Sequence, residues 1–247
     1  MQDKSIIDMH CHILPGLDDG AQSMEESIQM ACMAVENGVS VMVATPHANQ
    51  KGRFDNYCTA YMQSVFEEFC WRLKARDIPL KVFPGMEIYA SMDMIELIYK
   101  KRLCSLAGTS YYLVEFPFGC QQAEMDLVLR RMLQNGYIPL VAHPERYMCV
   151  QKYPDIVWNW RSMGCAVQIN SGSVYGKFGL NCETTAKFLI ENRQVDVLGS
   201  DAHGVNWRPP EMGAAWDYLE QTYGYEFAKM LLYENAEMLL NNCRISR

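Results

Sequence analysis

The residues able to do chemistry in this chain are few and regularly placed. Its 247 residues include only five histidines, each at or just beyond the end of an apolar, strand-like run. His10 and His12 close Asp8-Met-His-Cys-His12, and His47 closes Ala-Thr-Pro-His47. His143 opens His143-Pro-Glu-Arg146, and His203 closes Ser200-Asp201-Ala-His203. Glu87, in Pro84-Gly-Met-Glu87, and Glu115, in Leu-Val-Glu115-Phe, fall at equivalent places between them. A lone buried histidine is ordinarily a satisfied core residue. All five at strand ends with carboxylates beside them point to metal ligation, because buried ionisable groups persist only when paired or metal-bound. Imidazole and carboxylate donors without thiolate suit Mn²⁺, Fe²⁺ or Zn²⁺, and the donor list does not choose among them. The donors outnumber the needs of one ion, which implies a cluster of two or three. Side-chain alternation along the first run puts Asp8, His10 and His12 on one face and Met9 and Cys11 on the other, so Cys11 is a poor ligand.

Such residues can meet only if the elements carrying them surround one centre. Apolar, β-branched runs at 5–9, 39–45, 80–84, 111–116, 138–142, 165–169 and 195–199 predict seven strands. Helical periodicity fills the intervals at 24–37, 57–76, 123–135 and 184–192, and returns over 211–242 after Pro209-Pro210. Ser23-x-x-Glu26 reads as a capping box, and Gly38 and Gly136 each follow an asparagine as stop signals. Repeated strand–helix alternation implies an α/β fold, a parallel sheet wrapped by helices. No linker divides the chain, so the expectation is a single domain spanning 1–247, a (β/α)7 barrel. An open doubly wound sheet would carry a Gly-rich phosphate loop after its first strand, and this sequence has none there. In a barrel the C-terminal strand ends share one site, which is where these histidines and carboxylates fall.

Composition narrows the function classes. Lys and Arg number 22 against 29 Asp and Glu, a net charge of −7, which argues against nucleic acid or an anionic membrane as partner. No apolar run reaches the roughly 20 residues that span a bilayer. The polar opening 1–5 lacks the apolar stretch of a signal peptide. Ten cysteines are scattered singly with no C-x-x-C pair, so they are expected to be reduced small hydrophobes of a cytoplasmic protein.

The motifs together resemble the PHP superfamily. Within it, they are similar to the bacterial manganese-dependent protein-tyrosine phosphatases of capsular and exopolysaccharide loci. The resemblance rests on Asp8-Met-His-Cys-His12, Asp18-Asp19-Gly20, Pro46-His47, Gly85-Met-Glu87-Ile-Tyr89, Glu115-Phe116, Ala142-His143-Pro-Glu-Arg146 and Ser200-Asp201-Ala-His203. Gln168-Ile-Asn170, Gly172-Ser173, Phe178-Gly179 and Arg208-Pro-Pro210 extend it over essentially the whole chain. It implies a distorted (β/α)7 barrel with a trinuclear centre. One ion would be held by His10, His12, Glu87 and Asp201, with Glu87 bridging to a second held by Glu115 and His143. Asp19, His47 and His203 would hold the third. Arg146 and Arg208 match the phosphate-contacting arginines, and with Asp201 they form the implied catalytic set. Asp8 is expected behind the ligands, accepting a ligand histidine's other N–H. The implied cofactor is Mn²⁺, with Fe or Zn as alternatives. The implied substrate is the phosphotyrosine-bearing tail of a bacterial tyrosine autokinase that regulates capsule synthesis. Nothing in the chain identifies that kinase, its polysaccharide or an oligomeric state.

Three divalent ions and four carboxylate ligands would leave the pocket near about +2 before the arginines, attractive to a phosphate dianion. Bridging ions lower the pKa of bound water toward ~7, so the expected reaction is in-line attack of hydroxide on phosphorus. A phenol of pKa about 10 leaves readily, and a dedicated general acid is less necessary. Loops 50–56 and 116–122 follow ligand-bearing strands, so Phe54, Tyr57 and Phe118 are candidates for the substrate mouth or for ordinary packing. Cys70-Trp-Arg-Leu-Lys-Ala-Arg76 matches the C-x5-R string of thiol-based phosphatases, but its intervening residues are helix formers without glycine. It is read as a helix face, with Cys70 inward and Arg76 solvated. A histidinol-phosphatase-like phosphomonoesterase is the nearest rival. An amidohydrolase lacks its bridging lysine here, and a non-catalytic metal-binding partner of the kinase would not need both arginines.

Overall fold

The structure, a computed structural model, describes residues 4–245. Residues 1–3 of the polar opening and the last two positions of the expected 1–247 domain lie outside the described residues. Strands β1 (Ile6–Cys11), β2 (Val39–Ala44), β3 (His47–Ala48), β4 (Lys81–Pro84), β5 (Glu87–Tyr89), β6 (Tyr111–Glu115), β7 (Ile138–Ala142), β8 (Ala166–Asn170) and β9 (Val197–Gly199) all pair in parallel. They form a three-stranded sheet, β1-β2-β4, and a six-stranded sheet, β3-β5-β6-β7-β8-β9.

The two sheets are one curled surface broken in two places. β2 runs into β3 through Thr45-Pro46, where proline offers no N–H to a ladder. β4 runs into β5 through Gly85-Met86. A Cβ on Gly85 would lie 2.9 Å from Val43 Cγ1 and 2.9 Å from Leu106 Cδ2. Joining each interrupted pair recovers the seven expected strands, with β3 and β5 as continuations beyond the expected ends at 45 and 84. The other end of the surface returns to β1 through a parallel bridge from Cys11 to Ala202. The Asp201 N–H donates to the His10 carbonyl (2.8 Å), and the His12 N–H to the Ala202 carbonyl (2.9 Å). The result is a distorted (β/α)7 barrel.

Helix α1 (Met24–Glu36) starts at Ser23, whose Oγ accepts the Glu26 N–H at 3.2 Å. Glu26 returns to the Gln22 N–H at 2.9 Å, one residue before the expected box partner. Gly38 and Gly136 take left-handed φ values of 85° and 80°, as stop signals should. Helix α2 (Ala60–Ala75) begins at Thr59, later than the expected 57, because the Thr59 hydroxyl caps the Met62 N–H. The expected helical segments over 211–242 are Gly213–Tyr223 and a run from Tyr225 to Leu240, divided at Gly224 with φ 91°. No helix among the described residues is long and apolar enough to cross a membrane.

Two apolar clusters result. The larger lies between strands and outer helices and includes Cys11, Ile28, Phe69, Trp160 and Trp216. The smaller gathers Ile7, Met9, Val43, Leu113, Leu140, Ala166 and Val197 and is closed by Ala236 and Leu239 of the C-terminal helix. Met9 and Cys11 belong to different clusters, although strict alternation puts them on one face. The β1–β2 register shifts between Asp8 and Cys11, which breaks the alternation there. One cysteine expectation also changes: Cys58 and Cys104 form a disulfide, their Cα atoms 6.3 Å apart, while the other eight are outside any disulfide. These two loop positions are brought together by the fold, and their separation of 46 residues hid the pairing.

Candidate metal centre

The barrel brings every expected ligand to one end. His10 and His12 follow one another off β1, and their Nε2 atoms face each other at 3.1 Å. A chain of one-way hydrogen bonds decides what those atoms carry. The Asp201 carboxylate can only accept, so Asn170 turns its amide N–H₂ toward Oδ2 (2.6 Å). Asn170 Oδ1 then accepts from Gln168 Nε2 (3.0 Å), which leaves Gln168 Oε1 for His10 Nδ1 at 3.0 Å. His10 Nδ1 must therefore be the protonated nitrogen. His12 Nδ1 likewise donates to Asp18 Oδ2 at 2.7 Å. In the neutral imidazoles both Nε2 lone pairs point at the same spot.

Glu87 occupies that spot. Its Oε2 lies 3.3 Å from His10 Nε2, 3.2 Å from His12 Nε2 and 2.9 Å from His47 Nδ1. This oxygen is buried and has no hydrogen-bond donor. Lone pairs converging in a dry pocket repel, and a shared cation is what relieves them. The donor set thus fits divalent ions, whichever of Mn²⁺, Fe²⁺ or Zn²⁺ is taken. Among the described residues, four groups have ligand atoms within 4.8 Å of one another: His12, Asp19, His47 and His203; His10, His12 and Asp201; His10, Glu87 and His143; His47, Glu87 and Glu115. The groupings differ from the sets implied by resemblance, since His12 also joins the Asp19 group and His47 shares Glu87 with Glu115. Ring positions in space, not chain order, decide this sharing.

The cluster's electrostatics follow from burial. Burial raises the pKa of Glu87, but positive charge on the facing imidazoles, His10 first, outweighs it and holds the carboxyl well below its usual range. Glu115 goes the other way, pushed up to about 9 by burial and then by the charges of Glu87 and Asp201. Against burial, Glu87 pushes His10 up and Asp18 pushes His12 well up, so these two imidazoles are neutral only where a metal cation takes the place of the proton. Burial lowers His143 and His203 to about 4 each, which keeps them neutral and able to ligate.

Asp201 links this cluster to two cations. Its Oδ1 lies 3.6 Å from His10 Nε2 and 3.6 Å from His12 Nε2. Its Oδ2 accepts Arg146 Nη1 at 3.0 Å and pairs with Arg208 Nη2. The backbone is left-handed at His143 (φ 32°), Asp201 (φ 51°) and Arg208 (φ 53°). Such non-glycine conformations cost on the order of 1–3 kcal/mol each and gather where a site requires them. An open cavity of about 160 Å³ lies over the cluster, with Arg146, Arg208, Gln50, Arg53 and Phe118 in its walls.

Several expectations are corrected. Asp8 touches no ligand ring: its Oδ1 accepts the backbone N–H groups of Ser200 (2.8 Å) and His10 (3.1 Å), tying β1 to the end of β9. The partners behind the ligands are instead Asp18 and Gln168. The signal for Gln168 was present as the polar pair Gln168 and Asn170 at the end of an otherwise apolar strand. Phe54 stacks on His47 with centroids 5.2 Å apart, and Phe118 lines the cavity. Tyr57 does not line it and instead receives the Arg102 guanidinium on its ring at 4.1 Å. Arg53, 3.3 Å from Asp19 Oδ2, had no distinguishing signal. Cys70 and Arg76 sit at the C-terminal end of α2, where Arg76 pairs with Glu25, far in role from any phosphate cradle.

A parallel barrel with imidazoles and carboxylates at its C-terminal mouth, and arginines anchored beside them, defines a metal-dependent hydrolase. The chain belongs to the CpsB/CapC family of capsular polysaccharide synthesis, which matches over residues 6–241. It is 38% identical over 242 residues to the tyrosine-protein phosphatase YwqE of Bacillus subtilis strain 168, covering 98% of this chain and 94% of that protein. It is 31% identical to the tyrosine-protein phosphatase CpsB of Streptococcus pneumoniae over 246 residues, 95% of this chain and 98% of that one. A crystal structure from work on YwqE and CpsB as metal-dependent tyrosine phosphatases superposes with a TM-score of 0.91 at 38% identity, covering 98% of this chain and 97% of the other.

Proposed function

We propose that residues 1–247 form one metallophosphatase domain that hydrolyses phosphotyrosine on the tail of a cytoplasmic tyrosine autokinase controlling capsule or exopolysaccharide synthesis. The observation that carries this reading is the division of Asp201, one oxygen toward the histidine cluster and the other holding Arg146 and Arg208. A phosphoryl group entering the cavity would meet fixed positive forks from two loops directly beside the ligand cluster. His10, His12, His47, His143, His203, Asp19, Glu87, Glu115 and Asp201 would hold two or three ions, with Mn²⁺ proposed. Bound there, such ions supply Lewis-acid charge and a nucleophilic water near neutrality.

The protein's own groups do the rest. Gln168 and Asp18 hold the tautomers that aim His10 and His12 inward. Arg146 and Arg208 offer bidentate donors to the non-bridging phosphoryl oxygens, where charge is spread in the transition state. Phe118 offers an apolar face for the phenol ring in the cavity wall, while Phe54 backs the His47 ring. A phenolate leaves without a proton donor, which suits a site whose carboxylates are committed to ligation. Relatives bearing the names YwqE and CpsB, at 38% and 31% identity, support the tyrosine specificity over a small-molecule phosphomonoesterase.

The test pairs metal analysis of protein purified without chelator with turnover of a phosphotyrosine peptide and of histidinol phosphate. Chelator-sensitive turnover of the peptide in preference to histidinol phosphate is expected. Preference for the small ester, or activity indifferent to metal, would overturn the reading.

A further inference from the structure

We propose that Phe178 is a positioning residue that holds Arg146 and Arg208 as one phosphate-facing pair, and that Gly172 makes the room it needs. This rests on the reading of those arginines as the phosphate-binding groups. The two guanidinium groups come from separate loops and converge on the same oxygen, Asp201 Oδ2. Two like charges repel there, and a single acceptor oxygen fixes the plane of neither fork. A second constraint is required.

The Phe178 ring supplies it. Its centroid lies 5.0 Å from Arg146 Cζ and 5.2 Å from Arg208 Cζ, within the range where an aromatic face attracts a guanidinium. Phe118 covers Arg146 alone at 4.5 Å, and Trp207 covers Arg208 alone at 5.3 Å. Among the described residues Phe178 is the ring shared by both. Both arginines are mostly buried, with side-chain exposures of 19% and 15%, so water competes weakly for them.

The loop that carries Phe178 is shaped to hold the ring there. Gly176 and Gly179 flank it in left-handed conformations, φ 82° and 89°. The Lys177 N–H donates to the Gly172 carbonyl at 3.0 Å, folding the segment back on itself. At Gly172 the requirement is space: a Cβ there would lie 2.9 Å from Phe178 Cε2 and 3.2 Å from Lys177 Cβ. A side chain at 172 therefore displaces the ring edge. The same loop starts directly after Asn170, which holds Asp201, so the carboxylate and the aromatic face are set by one short stretch of chain.

The experiment compares Phe178→Leu, Phe178→Tyr, Gly172→Ala and the Gly172→Ala/Phe178→Leu pair as metal-loaded proteins. It reads kcat and KM on a phosphotyrosine peptide, the Kd of inorganic phosphate, metal content and Tm. Phe178→Leu should lose about 5- to 30-fold in kcat/KM and weaken phosphate binding comparably, from loss of two cation–aromatic contacts. Phe178→Tyr keeps the ring face and should stay within about threefold of wild type. Gly172→Ala should shift both readouts in the same direction as Phe178→Leu but add little to it, because both act through one ring. Unchanged phosphate affinity and kcat/KM in Phe178→Leu overturns the proposal. So does a Phe178→Tyr loss equal to that of leucine, or a loss accounted for wholly by metal content. A wild-type protein inert toward the peptide overturns the phosphatase reading instead, and phosphate titration still decides the role of Phe178.

Discussion

The inner face of the barrel has two halves that differ in what holds them. In the lower half Ile7, Met9, Leu113, Leu140, Ala166 and Val197 pack against one another and under the C-terminal helix. One side-chain repeat further along, Leu113 gives way to Glu115 and Ala166 to Gln168 on the same face. The lower half is held by apolar burial, which has no direction. The upper half is held by one-way hydrogen bonds ending on lone pairs that face each other. Apolar packing tolerates exchange at the expense of stability, whereas a directional network loses its chemistry when one member turns.

That contrast can be broken at either end. The largest effect should come from the upper half: Asp201→Ala, measured with full metal titration, should lose at least about 10³-fold in phosphotyrosine turnover, because a ligand and the anchor of both arginines go together. Undiminished turnover would show that the two halves do not divide as described. In the lower half, Leu140→Ala should cost about 2–5 kcal/mol in denaturant unfolding. Its metal-loaded kcat should stay near wild type. A comparable fall in kcat would mean that lower packing also sets the site.

Behind the ligands, Gln168→Ala frees the His10 ring and should cost about 10–100-fold in metal affinity or activity. Equilibrium dialysis against Mn²⁺ checks this directly. Glu145 sharpens the comparison through pH. Burial pushes its carboxyl from 4.5 up to about 7, even though it accepts from Asn170 and Ser173. A carboxyl raised on folding contributes fully below the unfolded value and loses that contribution as pH rises through the folded one. Thermal stability should therefore decline from pH 5 to 8, and Glu145→Gln should flatten that decline. The smallest effect belongs to Cys70→Ser, a half-buried helix position remote from the site. Turnover should be unchanged, and abolished activity in a folded, metal-loaded variant would revive the thiol string.

Much of this was legible before the fold was known. The strands at 138–142 and 39–44 were readable because apolar runs bounded by turn residues have one good solution. The gathering of histidines and carboxylates at one end was readable because buried charge needs a reason. What escaped was of another kind. Short β3 and β5 lie beyond Pro46 and Gly85, where the local signal says that pairing stops. Asp8 carries the same chemistry as Asp18, yet only position distinguishes a backbone clamp from a partner of His12. Tyr57 and Phe178 are both aromatic residues in loops, and nothing local tells which one reaches the site.

By itself the sequence determined the barrel's repeating plan and which histidines and carboxylates stand at the strand ends as candidate ligands, since periodicity and the cost of buried charge are local properties. The tertiary structure decided how those ligands share a centre, which amide fixes which imidazole, and which ring seats the two arginines. Those depend on distances of about 3 Å between residues far apart in the chain, set by barrel closure and by a register shift after Asp8.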